Sequence, residues 1–247
     1  MFKTIRRQLL YIDRIRGAVA YCRFFYFTKV LRRFQTLNSK DANPMTIEHN
    51  WKGILPTLDS KRSSILVRPL SVIESVNANS RILSIGPRSE GELLLLEAYG
   101  FNRQNIRGLD LISYSPMIDL GDMHTMAYTD NSWDVVISSM VLPYSDNQQK
   151  AADEMVRVVK NKGIIAISLE YVPPEDYEKI RAQFGYTVGK SEERIQTVKG
   201  LLELFQPHIE TVFFAQDGYI ASTPNTIKGS PSSTVSVIFS INKSKQQ

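Results

Sequence analysis

The sequence predicts an α/β domain on a mostly parallel sheet, preceded by a separate basic helical segment. Three observations lead there. Between Arg81 and Lys243, short β-branched runs alternate with amphipathic stretches, the pattern of strands joined by crossover helices. The runs within Trp133–Ser138 and Ile164–Leu169 are apolar over successive residues, as strands covered on both faces must be. Charge is also divided along the chain. Residues 1–40 hold ten Lys or Arg against one acid, Asp13, a net +9, whereas the other 20 bases and 24 acids give −4.

That division bounds the function. The body is mildly acidic, which disfavours a nucleic-acid surface across it. One cysteine, Cys22, excludes an internal disulfide and cysteine-based metal binding, and points to a reducing, cytoplasmic setting. His49, His124 and His208 lack ligand spacing, so no metal is expected. No apolar run reaches the ~18–20 residues of a membrane span. Arg6, Arg7, Asp13, Arg14 and Arg16 break up any signal-peptide core, and the Arg-rich, acid-poor start resembles a transit peptide except for its scarcity of Ser.

In chain order, Phe2, Ile5, Leu9, Ile12, Ile15 and Val19 fall at helical spacing, followed by the aromatic run Phe24-Phe25-Tyr26-Phe27 among bases. Residues 1–44 are read as one or two helices. Either they pack on the domain, or residues 1–37 lie on an anionic membrane as a peripheral contact. The expectation is that this head serves acceptor access or location and adds nothing to the fold behind it. After the polar break Asn38–Pro44, residues 45–80 read as a connector with short helices, one around Ser71–Asn77. Residues 81–243 form the main domain. Its expected elements are a strand at Arg81–Gly86, a helix at Glu92–Tyr99 and a strand at Ile106–Asp110. Then come Trp133–Ser138, a helix at Asn147–Val159 and Ile164–Leu169. Two helical stretches near 175–184 and 191–205 precede an antiparallel pair at His208–Ala215 and Thr234–Asn242. Asp134 reads as a residue of a strand's start and Asp146 as an alternative N-cap of the following helix.

The unit 81–110 carries the chemistry. A strand, a turn opening a helix, and a second strand ending in an acid bring backbone amides and a carboxylate to a nucleoside cofactor. Here the turn is Gly86-Pro-Arg-Ser-Glu-Gly-Glu92 and the acid is Asp110. The dinucleotide fingerprint is absent, which disfavours a nicotinamide enzyme. Downstream follow Gly121-Asp122-Met123, then Tyr128-Thr-Asp-Asn-Ser-Trp133-Asp134, and then Glu154-Met-Val-Arg157-Val-Val-Lys160-Asn-Lys-Gly163.

This order resembles the class I S-adenosylmethionine-dependent methyltransferases of the type 11 kind over about residues 81–172. The resemblance implies a Rossmann-like, mostly parallel seven-stranded sheet with helices on both faces. It implies S-adenosylmethionine as cofactor, with Gly86 to Gly91 around the methionine portion, Asp110 on the ribose and Asp122 with Met123 about the adenine. Ser138 to Met140 would face the methyl group. The chain departs from the family where Ser84 replaces an acid and Arg88 and Glu90 replace glycines. Arg88 then suits the cofactor carboxylate and Glu90 or Glu92 its amino group, unless Arg88 and Glu92 simply pair. Only eleven residues separate Asp110 from Asp122, so the third crossover must be compressed. Candidate bases for deprotonating an acceptor are His124, Tyr144 and Asp146. The function read from this is methyl transfer to a hydroxyl or amine of a small metabolite, glycan- or lipid-linked in one version. The alternative is an inactive methyltransferase-like fold serving as a regulatory or assembly subunit. Homo-oligomerisation stays open.

Overall fold

The computed structural model describes residues 2–38, 44–55, 58, 61–171, 195–217 and 233–244. Helices α1 (Phe2–Tyr11) and α2 (Asp13–Phe25) open the chain, α2 running into a π turn at Tyr26–Val30. A short strand β1 (Gln35–Thr36) and helices α3 (Pro44–Gly53) and α4 (Ser64–Leu70) follow. The main domain comprises β2 (Ile82–Ile85), α5 (Glu90–Ala98), β3 (Ile106–Asp110), β4 (Ile112–Ser113) and β5 (Ile118–Leu120). It continues through β6 (Trp133–Ser139), α6 (Gln148–Val158), β7 (Val159–Tyr171), α7 (Val198–Glu203), β8 (Ile209–Gln216) and β9 (Ser233–Ile241).

Seven strands form one sheet in the order β5-β3-β2-β6-β7-β9-β8. The first five are parallel, and β9 runs antiparallel to both β7 and β8. This is the Rossmann-like architecture expected; strand positions agree to within a residue or two except at β7, which begins five residues before the expected Ile164. β2 and β6 show why their sequences are continuously apolar. Ile82, Leu83, Val135, Val136 and Ile137 are all at or below 1% exposure, sandwiched between cores on opposite faces of the sheet.

Two elements differ from expectation. The helix placed near 71–77 lies instead at α4, where Leu66, Val67 and Leu70 are buried, while Val72 is 81% exposed and turns carry the chain to Ser80. Apolar residues at 72, 73 and 76 have the spacing of a helix, but only Ile73 and Val76 find packing. In the stretch 191–205 the described helix is α7 alone, opened by Thr197 accepting from the Gly200 N–H. The stretch 175–184 lies outside the described residues.

The compressed connection is real. From Asp110 the chain forms β4 and turns directly into β5, which joins β3 in parallel with Gly108 opposite Ile118 and no helix between them. The face this leaves bare is covered by the head of the chain. Phe24 stacks edge-on to Tyr114 at 5.0 Å, Phe27 joins the cluster of Tyr114, Met117 and Ile118, and β1 pairs antiparallel with β4.

The head therefore contributes to the fold, contrary to the expectation that it would not. Helix α5 explains how it is held. All nine residues Glu90–Ala98 are buried, as a helix apolar all round must be. Leu93, Leu95 and Leu96 face the sheet-side core, while Leu94 and Ala98 pack with Leu10 and Ala20 of the head. The Arg6 Nη2 donates to Glu97 at 2.9 Å, and Arg23 forms a bidentate pair with the fully buried Glu90.

Candidate functional site

The sheet positions the site through its register. Ile85, at the end of β2, lies opposite Leu109 of β3 on one side and Ser138 of β6 on the other. Strand order reverses here, and the carboxyl ends of parallel strands at such a point form the ligand crevice of open α/β sheets. Gly86, Asp110 and Ser138 to Met140 therefore meet because the strands end together.

The loop after β2 is bent by left-handed residues. Gly86 has φ 62°, and a Cβ there would stand 2.5 Å from a Val141 methyl, so both conformation and space require glycine. Arg88 has φ 56°, the conformation that a glycine expected at this place in the related loop adopts without cost. Met140, at the tip of β6, has φ 60°. Non-glycine residues in this region cost on the order of 1–3 kcal/mol each, and such strain collects at functional sites.

Asp110 is 3% exposed and is met by three donors. The Arg88 N–H donates to Oδ2 at 2.9 Å, and the Ile112 N–H and Asn50 Nδ2 donate to Oδ1 at 3.2 Å each. Burial pushes its carboxyl above the usual range, against the pull of the Arg88 and Ile112 N–H groups. Glu92 is 2% exposed and also held above the ordinary carboxylate range by burial, although Arg62 and Ser63 both donate to it. Arg62 reaches further and donates to the Gly86 carbonyl at 2.7 Å. Arg88 lies against Gly53 of α3. Burial and the neighbouring Arg62 lower its pKa, and its Nε is buried without a hydrogen-bond partner.

The expected residues are thus sorted by the structure. Gly86, Arg88, Asp110 and Ser138 converge, with Ser138 fully buried and its hydroxyl unpartnered. Gly91 lies in the first turn of α5 beneath the Leu58 carbonyl. Glu90 is turned away from Gly86, towards Arg23 and Ser115, so Glu92 is the acid that shares Arg62 with the Gly86 carbonyl. The simple Arg88–Glu92 pair is replaced by Arg62–Glu92. Sequence reasoning missed Asn50 and Arg62. Both belong to segments far from the loop in sequence, and neither sits in a motif.

On the other side of the crevice, Asp122 Oδ1 accepts from the His124 N–H at 2.8 Å and lies 2.5 Å from its Nδ1. His124 Nε2 lies 2.6 Å from the Ser145 Oγ. Both ring nitrogens are therefore engaged, and the chain Asp122–His124–Ser145 pins the turn after β5 to the loop after β6. Met123 packs at the edge of the core beneath. Tyr144 is half-buried in a short 3₁₀ turn near Arg88. Asp146 is exposed, and the α6 cap is Asn147, whose side chain accepts from the Lys150 N–H at 3.0 Å. Asp134 ties strand starts together, accepting from the Arg81 N–H and from Lys160 Nζ. Among the described residues, no group of three or more His, Cys, Asp or Glu is placed to hold a metal ion.

A glycine at one strand tip, a buried acid at the next, a polar turn after the third and an unpartnered hydroxyl after the fourth fit an adenosyl cofactor carrying a methionine tail. Two cations, Arg62 and Arg88, lie at the same strand tips, Arg62 on the Gly86 carbonyl and Arg88 with its N–H on Asp110. The family of proteins described as methyltransferase domain matches residues 96–167. Among solved structures, the chain is similar to one from the Haloferax volcanii complex between the Trm112 methyltransferase activator and a methyltransferase. That match has a TM-score of 0.59 and 15% identity, covering 81% of this chain and 97% of that one. It is also similar to an S-adenosylmethionine-dependent methyltransferase of Listeria monocytogenes, at TM-score 0.52 and 12% identity over 74% of this chain and 100% of that one. A third, from Methanococcus maripaludis, gives TM-score 0.50 and 17% identity over 81% and 93%. No protein with a curated description matches the sequence. The chain shares its fold with these solved structures, and the match to the methyltransferase domain lies within that fold, over residues 96–167.

Proposed function

We propose that the chain transfers a methyl group from S-adenosylmethionine to a hydroxyl or amine of a small acceptor. The observation that carries this is the convergence of Gly86, Asp110 and Ser138 at the reversal of strand order. When bound, the cofactor supplies an electrophilic sulfonium methyl. The chain's own residues orient and shield it. Asp110 accepts from ribose hydroxyls, the Arg88 guanidinium meets the carboxylate, and Ser138 and Met140 border the acceptor side. Asp122 holds the His124 ring, and a proton taken from an acceptor hydroxyl passes to His124 through Ser145, while the Tyr144 hydroxyl orients the acceptor.

One observation favours a second reading. Asn50 donates to Asp110, and Arg62 donates to the Gly86 carbonyl, so the chain's own side chains satisfy two groups that a cofactor would use. A fold fixed in that state would serve as a regulatory or assembly subunit. Calorimetric titration with S-adenosylhomocysteine separates the two. The enzyme reading expects one site per chain, weakened about 5- to 150-fold in Asp110→Ala, the range for leaving buried polar partners unpaired. It expects Arg88→Ala to weaken S-adenosylhomocysteine while sparing 5′-methylthioadenosine, which lacks the carboxylate. Absence of heat at millimolar ligand supports the subunit reading.

A further inference from the structure

Helix α2 turns large apolar rings outward. On a helix against water, the side facing the protein is apolar and the side facing solvent is charged. Here the side facing the protein carries Ala20 and Phe24 together with Arg16, 1% exposed, and Arg23, paired with buried Glu90. The outward side carries Tyr21 and Phe25, each 51% exposed, and the π turn beyond it shows Tyr26, Val30 and Leu31 at 44–59%. Ile5 and Leu9 continue the pattern on α1, and Ile12 at the bend after it, all 44–52% exposed. Both helices pack on α5 and on each other.

The charge around this surface has one sign. Arg14, Lys29, Arg32 and Arg33 are exposed, and no ion pair engages them among the described residues. The one acid of the segment, Asp13, is bound to Arg16 at 2.7 Å. Apolar aromatic rings ringed by unpaired cations match a lipid interface, where rings enter the headgroup layer and cations meet anionic phosphates. No described helix is long and apolar enough to cross a membrane. We infer that α1, α2 and the turn through Phe34 form a docking surface for an anionic bilayer.

Phe34 extends the surface towards the crevice. Its ring stacks on Trp51 at 4.7 Å, and Trp51, 50% exposed, belongs to α3, whose Asn50 holds Asp110. The docked face is thereby continuous with the helix that covers the candidate site.

The test is co-flotation of the full chain with vesicles of phosphatidylcholine alone or with a third phosphatidylglycerol. The expected result is binding to the anionic vesicles only, declining as salt rises, with roughly fivefold loss in partitioning for each surface cation neutralised. A Tyr21→Ser/Phe25→Ser/Leu31→Ser variant changes only exposed side chains, so its melting temperature stays that of the parent. It is expected to lose at least tenfold in partitioning even at low salt. Failure of the parent to float with anionic vesicles overturns the proposal, as does equal binding by the triple variant. Reversible dimerisation in sedimentation velocity, lost in that variant and without vesicle binding, would instead make the face a contact between copies.

Discussion

At Arg88 a bulky cation takes the backbone conformation that glycine takes for nothing, at φ 56°, and its N–H is what holds Asp110. Strain and ligand contact therefore belong to one residue. Arg88→Gly is expected to leave stability unchanged or raise it slightly, since relief of the left-handed strain opposes the added chain entropy. It should nonetheless abolish the preference for S-adenosylhomocysteine over 5′-methylthioadenosine in parallel titrations. The buried pair Arg62–Glu92 behaves differently. Removing Arg62 strands a carboxylate that is 2% exposed, a loss of about 3–5 kcal/mol for an uncompensated buried charge. Urea denaturation of Arg62→Ala should show that loss, and Arg62→Met/Glu92→Gln should recover most of it. At this scale the sequence told half the story. Gly86, Asp110 and Asp122 were legible because strand ends and turns mark them. Asn50 and Arg62 were not, since tertiary packing alone brings residues 24 to 60 positions away onto those groups.

Among the elements, α6 shows why its motif has its composition. Glu154 accepts from the Met126 N–H at 2.7 Å, and Arg157 donates to Glu154, Asp130 and the carbonyls of Met126 and Tyr128. One turn of helix thus fixes the loop 126–130 that leads into β6. Hydrogen bonding from Arg157 holds the Glu154 carboxyl below its usual range. A depressed carboxylate stabilises the fold above its unfolded pKa of about 4.3, and that contribution disappears as pH falls through the folded value. Glu154→Gln should accordingly lower the melting temperature by roughly 2–4 °C at pH 7, with the difference closing as pH falls through the folded value. Calorimetric scans across pH check this. The same elements show what periodicity resolves. Strands β2 and β6 were placed to within a residue or two, because burial on both faces leaves an unmistakable apolar run. The helix near 71–77 was misplaced to the wrong side of Leu70, since short apolar spacings occur equally in turns that skirt a core.

Across the whole molecule, the head and the domain complete each other. The connection between β3 and β5 lacks a helix, and Phe24, Phe27 and β1 cover what that helix would have covered. The basic, aromatic composition of residues 1–38 announced a helical head and left packing on the domain as one of two readings, but concealed its contribution to the fold. The clue lay elsewhere, in Leu93 to Leu96 of α5, where four successive leucines need cover on more than one side. Deleting residues 1–38 should therefore lower the melting temperature by several degrees or more, or leave the protein insoluble, because it uncovers Leu94, Ala98 and the charge of Glu90. An unchanged melting temperature would show the head to be an independent appendage. The central claim, that the reversal point of the sheet holds an adenosyl cofactor, is tested most directly by a crystal structure of the full chain grown with millimolar S-adenosylhomocysteine. The account predicts adenosyl density with its ribose on Asp110, its carboxylate at Arg88, and Asn50 drawn off the Asp110 carboxylate. A structure at that concentration with Asn50 still on Asp110, Arg62 still on the Gly86 carbonyl and no ligand density between the strand tips would contradict it.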